Sequence, residues 1–128
     1  MRQEARGNRQ KAIVSYKDLI VWQRSMDLVE IVYRLTRKLP TSERWGLVSQ
    51  MRKAVVSVPS NIAEGYGRQA TGEYRHHLSI GRASLLELET QVLLSQRLGY
   101  LRQGEIDDIL NNIQEISKML TSLVSKIK

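Results

Sequence analysis

The C-terminal quarter of the chain repeats apolar residues at alternating steps of three and four positions. The repeat consists of Ile106, Ile109, Ile113, Ile116, Leu120, Leu123 and Ile127. This spacing follows the turn of an α-helix and leaves one narrow apolar stripe, with polar residues on the other sides. The pattern predicts an outer helix that buries a single stripe against the rest of the protein.

Three more helices are predicted upstream, and both prolines and most glycines fall between them or near their ends. The predicted ranges are 15–38, from 41 or 42 to 65 or 67, 71–99, and from about 102 to the C-terminus. Ser15 begins a sequence typical of a capping box, and Pro40 ends the first helix. Because the links are short, neighbouring helices should be antiparallel. The predicted fold is all-α, an antiparallel up-down-up-down four-helix bundle over residues 15–128, after a flexible basic tail over residues 1–14.

Length and composition restrict the class of protein. The 128 residues suffice for one domain, and the absence of cysteine excludes disulfides and thiolate metal sites. No apolar run approaches the roughly 20 residues of a membrane span, and the first residues lack the apolar core of a signal peptide. A soluble cytoplasmic protein is therefore expected. The formal charge of +7 favours polyanionic partners.

Two helices carry more apolar surface than a four-helix monomer can bury. On the first helix, one stripe is Leu19, Trp22, Met26, Val29 and Tyr33, and a second is Leu28, Val32, Leu35 and Leu39. On the third, Tyr74, Leu78, Gly81, Leu85, Leu88 and Val92 form one seam, and Ile80, Ala83, Leu86, Leu94 and Leu98 spread round much of the rest. We expect the second sets to mediate self-association with closed symmetry. The alternative is a monomeric bundle with an apolar surface.

The second predicted helix contains a proline, and a polar row follows its core stripe. The row is Lys53, Ser57, Asn61, Glu64 and Arg68. Pro59 cannot donate to the carbonyl of Val55, so Ser57 and Asn61 are predicted to repair the resulting kink, with Glu64 pairing Lys53 or Arg68. The other interpretation is a polar site that faces a partner subunit, a lumen or a ligand.

Glu87 falls among apolar residues of the third predicted helix. A carboxylate in such surroundings should be partly desolvated and should have a cationic or amide partner. Arg52 and Asn61 are the predicted candidates. A catalytic role would need a nucleophile or a base beside it, and no such group can be identified from the sequence.

Four segments carry a resemblance to a known family. RKAVVSVPSNIAEGYGR (residues 52–68) resembles the signature of the four-helix-bundle proteins encoded in intervening sequences of bacterial 23S ribosomal RNA genes. YKDLIVW (16–22), EYRHHL (73–78) and ASLLELETQ (83–91) are similar to that family's opening, third-helix start and third-helix centre. The resemblance spans roughly residues 15–101. Arg82, Ala83 and Ser84 stand where the family often has a small residue followed by Gly-Ser.

The resemblance implies an assembly and partners that composition does not show. It implies an antiparallel bundle that forms a barrel-like homopentamer. It also links the chain to the accessory variability proteins of diversity-generating retroelements, which bind nucleic acid and engage a reverse transcriptase. Within that resemblance, Ser57, Pro59, Asn61, Glu64, Gly65 and Glu87 are signature residues with a structural role.

Other constellations in the sequence point to neither a metal site nor an enzyme. Glu73 and His76 form one Glu-x-x-His half-motif, whereas di-iron bundles need two together with two further glutamates. The segment from Gly65 to Arg68 is too short for a phosphate loop, and we interpret it as a helix C-cap and turn. No catalytic residue, metal or cofactor is predicted.

The leading hypothesis is a non-enzymatic homo-oligomer that binds structured RNA or DNA mainly through phosphates. The candidate contacts are Arg2, Arg6, Arg9, Lys11, Arg34, Arg37, Lys38, Arg52, Lys53, Arg68, Arg75 and Arg82. Arg34 could instead pair with Glu30 one turn earlier. The alternative function is a structural or protein-binding scaffold without a nucleic-acid role. A hydrolase or metal enzyme that uses Glu64 or Glu87 is the third and remotest interpretation.

Overall fold

The computed structural model describes residues 12–127, and the regular structure in this part of the chain is entirely helical. The four α-helices are α1 Ile20–Thr36, α2 Leu47–Gly67, α3 Thr71–Arg97 and α4 Gln103–Lys126. Short 3-10 turns at Tyr16–Asp18 and Thr41–Glu43 precede α1 and α2. The all-α class and the four helices are confirmed. No helix within residues 12–127 is long and apolar enough to cross a membrane.

The first helix begins later than predicted. Ser15 does form a capping box, but with the 3-10 turn: its hydroxyl accepts from Lys17 N at 3.0 Å, and Asp18 Oδ2 accepts from Ser15 N at 3.0 Å. Leu19 then adopts an extended backbone, with φ −72° and ψ 124°. Because this residue interrupts the helical dihedrals, α1 starts only at Ile20.

The second helix also begins later than predicted, and a carboxylate accepts a hydrogen bond from the first backbone N–H of the helix. Glu43 Oε1 accepts from Leu47 N at 3.1 Å, while Glu43 Oε2 accepts from the hydroxyl of Tyr100 at 2.9 Å. A Cβ on Gly46 would lie 2.6 Å from Glu43 Oε1, so glycine leaves the space that this carboxylate occupies. The carboxylate also suits the positive end of the helix dipole.

The helices pack in a ring. Each helix packs against its neighbour in the chain, and α4 packs against α1. Within residues 12–127 the diagonal pairs, α1 with α3 and α2 with α4, have no Cα atoms within 8 Å of each other. The apolar residues that are at most 1% exposed form the centre of the core: Leu28, Val32, Met51, Val55, Val58, Ile62, Leu78, Leu85, Leu88, Val92, Ile106, Ile109, Ile116 and Leu120. The predicted α4 stripe is buried as far as Leu120. The up-down-up-down direction of the helices and the pentameric barrel remain predictions.

The apolar stripes of α1 and α3 divide between the core and the surface. The stripe of Leu28, Val32, Leu35 and Leu39, on α1 and just beyond its end, is buried, while the stripe through Met26 is partly exposed. On α3 and at the residue that directly follows it, five large apolar side chains are between 36% and 60% exposed: Ile80, Leu86, Leu93, Leu94 and Leu98. We call these five residues the apolar face of α3. Residues 12–127 of a single copy therefore leave this face uncovered.

Candidate nucleic-acid interface

A chain of polar side chains joins α2 to α3 at the centre of the sequence signature. Ser84 Oγ donates to Ser57 Oγ at 2.9 Å, and Asn61 Nδ2 donates to Ser57 Oγ at 3.0 Å and to Ser57 O at 2.8 Å. Asn61 Oδ1 lies 3.0 Å from His77 Nδ1. Ser57 and Asn61 therefore tie the two helices together, which agrees with the structural interpretation of the polar row.

The contacts of Asn61 determine the tautomer of His77. A backbone carbonyl only accepts, so the Asn61 group that meets Ser57 O must be the amide nitrogen. Asn61 Oδ1 consequently faces His77, and His77 Nδ1 must carry the proton that it accepts. In this hydrogen-bonded series, Asn61 lies between His77 and the two serines, Ser57 and Ser84. The histidine is therefore not bonded directly to a serine, as the base and nucleophile of covalent catalysis would be.

Next to the proline of α2, the Asn61 side chain donates to a different backbone carbonyl from the one predicted. Pro59 is buried inside an unbroken α2. Asn61 binds the carbonyl of Ser57, not that of Val55. The side chain of Asn61 therefore adds a bond within the turn that contains the proline, and its amide also bridges to Ser57 Oγ. The prediction named the correct pair of side chains but the wrong carbonyl.

Glu64 and Arg68 form an exposed ion pair, which is one of the two predicted pairings of Glu64. Arg68 Nη2 lies 2.8 Å from Glu64 Oε2, and Arg68 Nη1 lies 3.3 Å from Glu73 Oε1. The hydrogen bond and the charge of Arg68, followed by the charge of His77, lower the pKa of the Glu64 carboxyl. Two carboxylates thus share Arg68, which reduces its value for binding phosphate.

The expected burial of Glu87 and both of its predicted partners are wrong, although its partner is an amide, one of the two expected kinds. Its side chain is exposed on α3 and accepts a 3.4 Å hydrogen bond from Gln91 Nε2, one turn later on the same helix. Arg52 cannot be its partner because the Arg52 side chain turns toward α1, and the amide of Asn61 serves Ser57 and His77. Glu87 lines a shallow polar cleft between α2 and α3 together with Lys53 and Ser57.

The end of α2 differs from the predicted glycine cap. Arg68 follows the helix, and the residue with a left-handed backbone is Gln69, with φ 64°. Gly65 instead lies buried inside the helix, where a Cβ would come within 2.7 Å of His77 Cβ. Its absent side chain is what allows α2 and α3 to approach so closely.

Three candidate cations are engaged within the protein. Lys38 Nζ lies 2.8 Å from Glu105 Oε2, and this hydrogen bond, together with that from the backbone of Arg102, lowers the pKa of Glu105. Arg75 Nη2 donates to Ile127 O at 2.8 Å and so joins the start of α3 to the end of α4. Arg68 carries the two carboxylates described above. Exposed ion pairs of this kind contribute little to stability.

Four candidate cations are exposed and unengaged. Within residues 12–127, Arg34, Arg37, Lys53 and Arg82 form neither an ion pair nor a side-chain hydrogen bond; the predicted pairing of Arg34 with Glu30 is therefore absent. The tail candidates Arg2, Arg6, Arg9 and Lys11 lie outside the described residues. Among the four, Lys53 also borders a groove.

This groove runs between α1 and α2 and has a volume of about 480 Å³. Its lining consists of Tyr33, Arg44, Trp45, Val48, Ser49, Arg52, Lys53 and Val56. Three of these side chains are cations and two are aromatic, and none is a carboxylate. We call it the basic groove. Positive charge with aromatic rings and without acidic groups is the combination that nucleic-acid sites use.

Arg52 is held in place at the basic groove, and no carboxylate among residues 12–127 pairs with it. Its Nε donates to Thr36 Oγ1 at 2.9 Å and its Nη2 donates to Tyr33 O at 3.3 Å. The guanidinium carbon lies 4.4 Å from the centre of the Tyr33 ring. All three contacts are with neutral groups, so they leave the positive charge of the guanidinium uncompensated and three of its five N–H donors available.

Sequence reasoning missed Arg44 and Trp45. Trp45 is 83% exposed, and the Arg44 guanidinium lies 5.3 Å from its ring centre. Both follow the turn Thr41–Glu43, a segment that the sequence pattern assigns to a continuous α2. The sequence signal for this pair is the dipeptide itself: an arginine stands beside a tryptophan that belongs to none of the predicted apolar stripes, which indicates an exposed aromatic ring next to a cation.

The metal prediction concerned Glu73 and His76. In the described part of the chain, histidine and acidic side chains do not form any group of three that could hold a metal ion. His76 is exposed and His77 points to Asn61.

Comparisons with known proteins place these features in a family context. A family model described as 23S rRNA-intervening sequence protein matches residues 17–122. Among solved structures, the fold is similar to a protein of unknown function from the S23 ribosomal protein family of Bacteroides thetaiotaomicron VPI-5482, with a TM-score of 0.76. The two sequences are 23% identical over 82% of this chain and 98% of that chain, a level that shows a shared fold alone. No curated protein matches significantly.

Proposed function

The chain belongs to the 23S rRNA-intervening sequence protein family, and we propose that it is a non-enzymatic homo-oligomer that binds nucleic acid mainly through phosphate contacts. The observation that carries this proposal is the basic groove, where Arg44, Arg52 and Lys53 meet and the described lining contains no carboxylate. Cations that are not neutralised within the protein can displace the counterions of a polyanion, which is the main source of affinity in such complexes.

The proposed self-association rests on the apolar face of α3. Four of its five residues lie on α3 and Leu98 directly follows the helix; Leu86 and Leu98 are 60% and 56% exposed. Several large apolar side chains exposed along one helix favour a contact with another protein, and a second copy of the same chain is the simplest partner. A homo-oligomer would also repeat the basic groove, so that several weak sites act on one strand or helix of nucleic acid.

Charge reversal in the basic groove tests the nucleic-acid proposal. In a mobility-shift titration with structured RNA, we expect Lys53→Glu to weaken binding at low salt and to lower the slope of log affinity against log salt by about one, because one phosphate is no longer neutralised. Lys118→Glu is the matched control because Lys118 lies on α4, away from the groove. No binding by the unmodified protein at low salt, or equally weakened binding in both variants, would contradict the proposal.

A charge on the apolar face of α3 tests the self-association. We expect Leu86→Glu to shift the protein to a smaller species in light scattering, because a desolvated carboxylate without a partner disfavours an apolar contact. Ile20→Glu is the control, since Ile20 is also 60% exposed but lies outside the apolar face. A monomeric unmodified protein would refute the oligomer.

The alternative of a purely structural or protein-binding scaffold also has support from the apolar face of α3. The two functions make different predictions for the same variants. A scaffold would respond to Leu86→Glu and be indifferent to Lys53→Glu, whereas the proposed nucleic-acid-binding oligomer responds to both in different assays.

A further inference from the structure

The basic groove presents an exposed indole ring beside its cations, and we propose that it binds unpaired nucleotides, with a base stacked on Trp45 and phosphates on Arg52 and Lys53. This inference rests on the proposed function. It narrows the ligand from nucleic acid in general to single-stranded segments and loops whose bases are free to stack.

The two tryptophans of the chain are placed very differently. Trp22 is half-buried and meets the edge of Tyr16, with ring centres 5.2 Å apart. Trp45 is 83% exposed and makes its ring contact with Arg44. An exposed indole gives little to the stability of this fold, but its face can stack with any base. The neighbouring guanidinium adds positive charge where a nucleotide carries its phosphate.

The Arg52 side chain is preorganised to bind a phosphate. Its contacts with Thr36, Tyr33 O and the Tyr33 ring restrain the guanidinium, so little side-chain freedom is lost on binding. The remaining N–H donors suit the oxygens of a phosphate. Lys53, which is exposed and unpaired within the described residues, adds a second and more mobile charge.

The spacing of these residues sets the size of the site. Lys53 lies six residues into α2 from Leu47, a rise of about 9 Å along the helix axis. Stacked nucleotides advance by about 3.4 Å per strand. The part of the groove along α2, from Leu47 to Lys53, therefore matches the length of about two to three stacked nucleotides, fewer than the 4 to 16 or so of typical single-strand binding folds.

Bases paired in a duplex cannot stack on Trp45 in this site. In a duplex the faces of the bases are stacked on one another and only their edges are accessible. Apart from its cations, the groove lining has only two hydroxyl groups, those of Ser49 and Tyr33. The lining therefore provides few neutral groups that could form hydrogen bonds with base edges. We therefore expect a preference for single strands with little dependence on sequence.

The experiment compares a short oligouridylate with an RNA duplex of the same length, both titrated by fluorescence anisotropy at low salt. The unmodified protein should bind the single strand more tightly. Trp45→Ala should weaken single-strand binding about 5- to 150-fold, the range for loss of one stacked base, with a much smaller effect on the duplex. Trp45→Phe should retain most of the single-strand affinity because the ring remains.

The results separate this inference from the proposed function. If the protein binds neither RNA, both fail. If it binds both equally well and Trp45→Ala changes neither affinity, the stacking site is overturned while phosphate-directed binding stands. If Trp45→Ala instead reduces self-association in light scattering without affecting RNA binding, the groove is a protein contact, which also overturns the inference. Circular dichroism of each variant verifies that the fold is intact.

Discussion

Ile116→Ala is expected to lower the free energy of unfolding by about 2–5 kcal/mol, because it removes buried apolar surface and leaves a cavity. Ile116 is 0% exposed on α4 and belongs to the repeat of isoleucines and leucines that predicted this helix. Neighbouring side chains in a packed core cannot relax enough to fill the space. Urea unfolding followed by circular dichroism measures the change.

The matched control is Ile20→Ala, which makes the same chemical change at a side chain 60% exposed. We expect its effect to stay within about 0.5 kcal/mol, as is usual for surface substitutions. Both variants should be compared at one protein concentration, since association contributes to the stability of an oligomer. Similar destabilisation in the two variants would show that the buried face of α4 has been assigned incorrectly.

Gly65→Ala is the second large effect that we expect, a destabilisation of about 1–3 kcal/mol from overpacking. The added Cβ would stand 2.7 Å from His77 Cβ and 3.3 Å from Tyr74 O. Neither atom is the flexible end of a side chain, so α2 and α3 would have to separate. Separation would also stretch the 3.0 Å contact between Asn61 and His77.

Gly67→Ala is the control for this substitution, two residues further along the same helix. A Cβ at Gly67 would meet nothing within 4 Å. Alanine at that position should leave stability unchanged or raise it by up to about 1 kcal/mol, because it restricts the unfolded chain. If Gly65→Ala is as well tolerated as Gly67→Ala in thermal unfolding, the close approach of α2 and α3 is not what selects glycine.

The two proposed interfaces use different helices. The apolar face belongs to α3, whereas the basic groove lies between α1 and α2. Substitutions can therefore separate assembly from nucleic-acid binding, although binding to an extended nucleic acid would still gain from several grooves in one oligomer. The central polar chain from Ser84 to His77 connects α2 with α3 and has a structural role in this arrangement.

The sequence alone determined the elements that depend on local periodicity. The repeat from Ile106 to Leu120 predicted a helix buried on one side, and the apolar excess on α3 predicted an exposed face, because 3.6-residue spacing follows from backbone geometry. The family signature around Asn61 is likewise a property of the chain itself. The first residues of α1 and α2 were less predictable. The start of α1 depends on the extended backbone of Leu19, and the start of α2 depends on the cap that the Glu43 side chain provides.

Only the tertiary structure decided which charges are engaged and which are free. Lys38 and Glu105 are 67 positions apart in the chain, and Arg52 meets Thr36 16 positions away. Such pairings depend on how the helices are juxtaposed, and periodicity within one helix carries no information about them. For the same reason the partners predicted for Glu87 were wrong, and the basic groove that joins Tyr33, Trp45 and Arg52 exists only where α1 and α2 pack together.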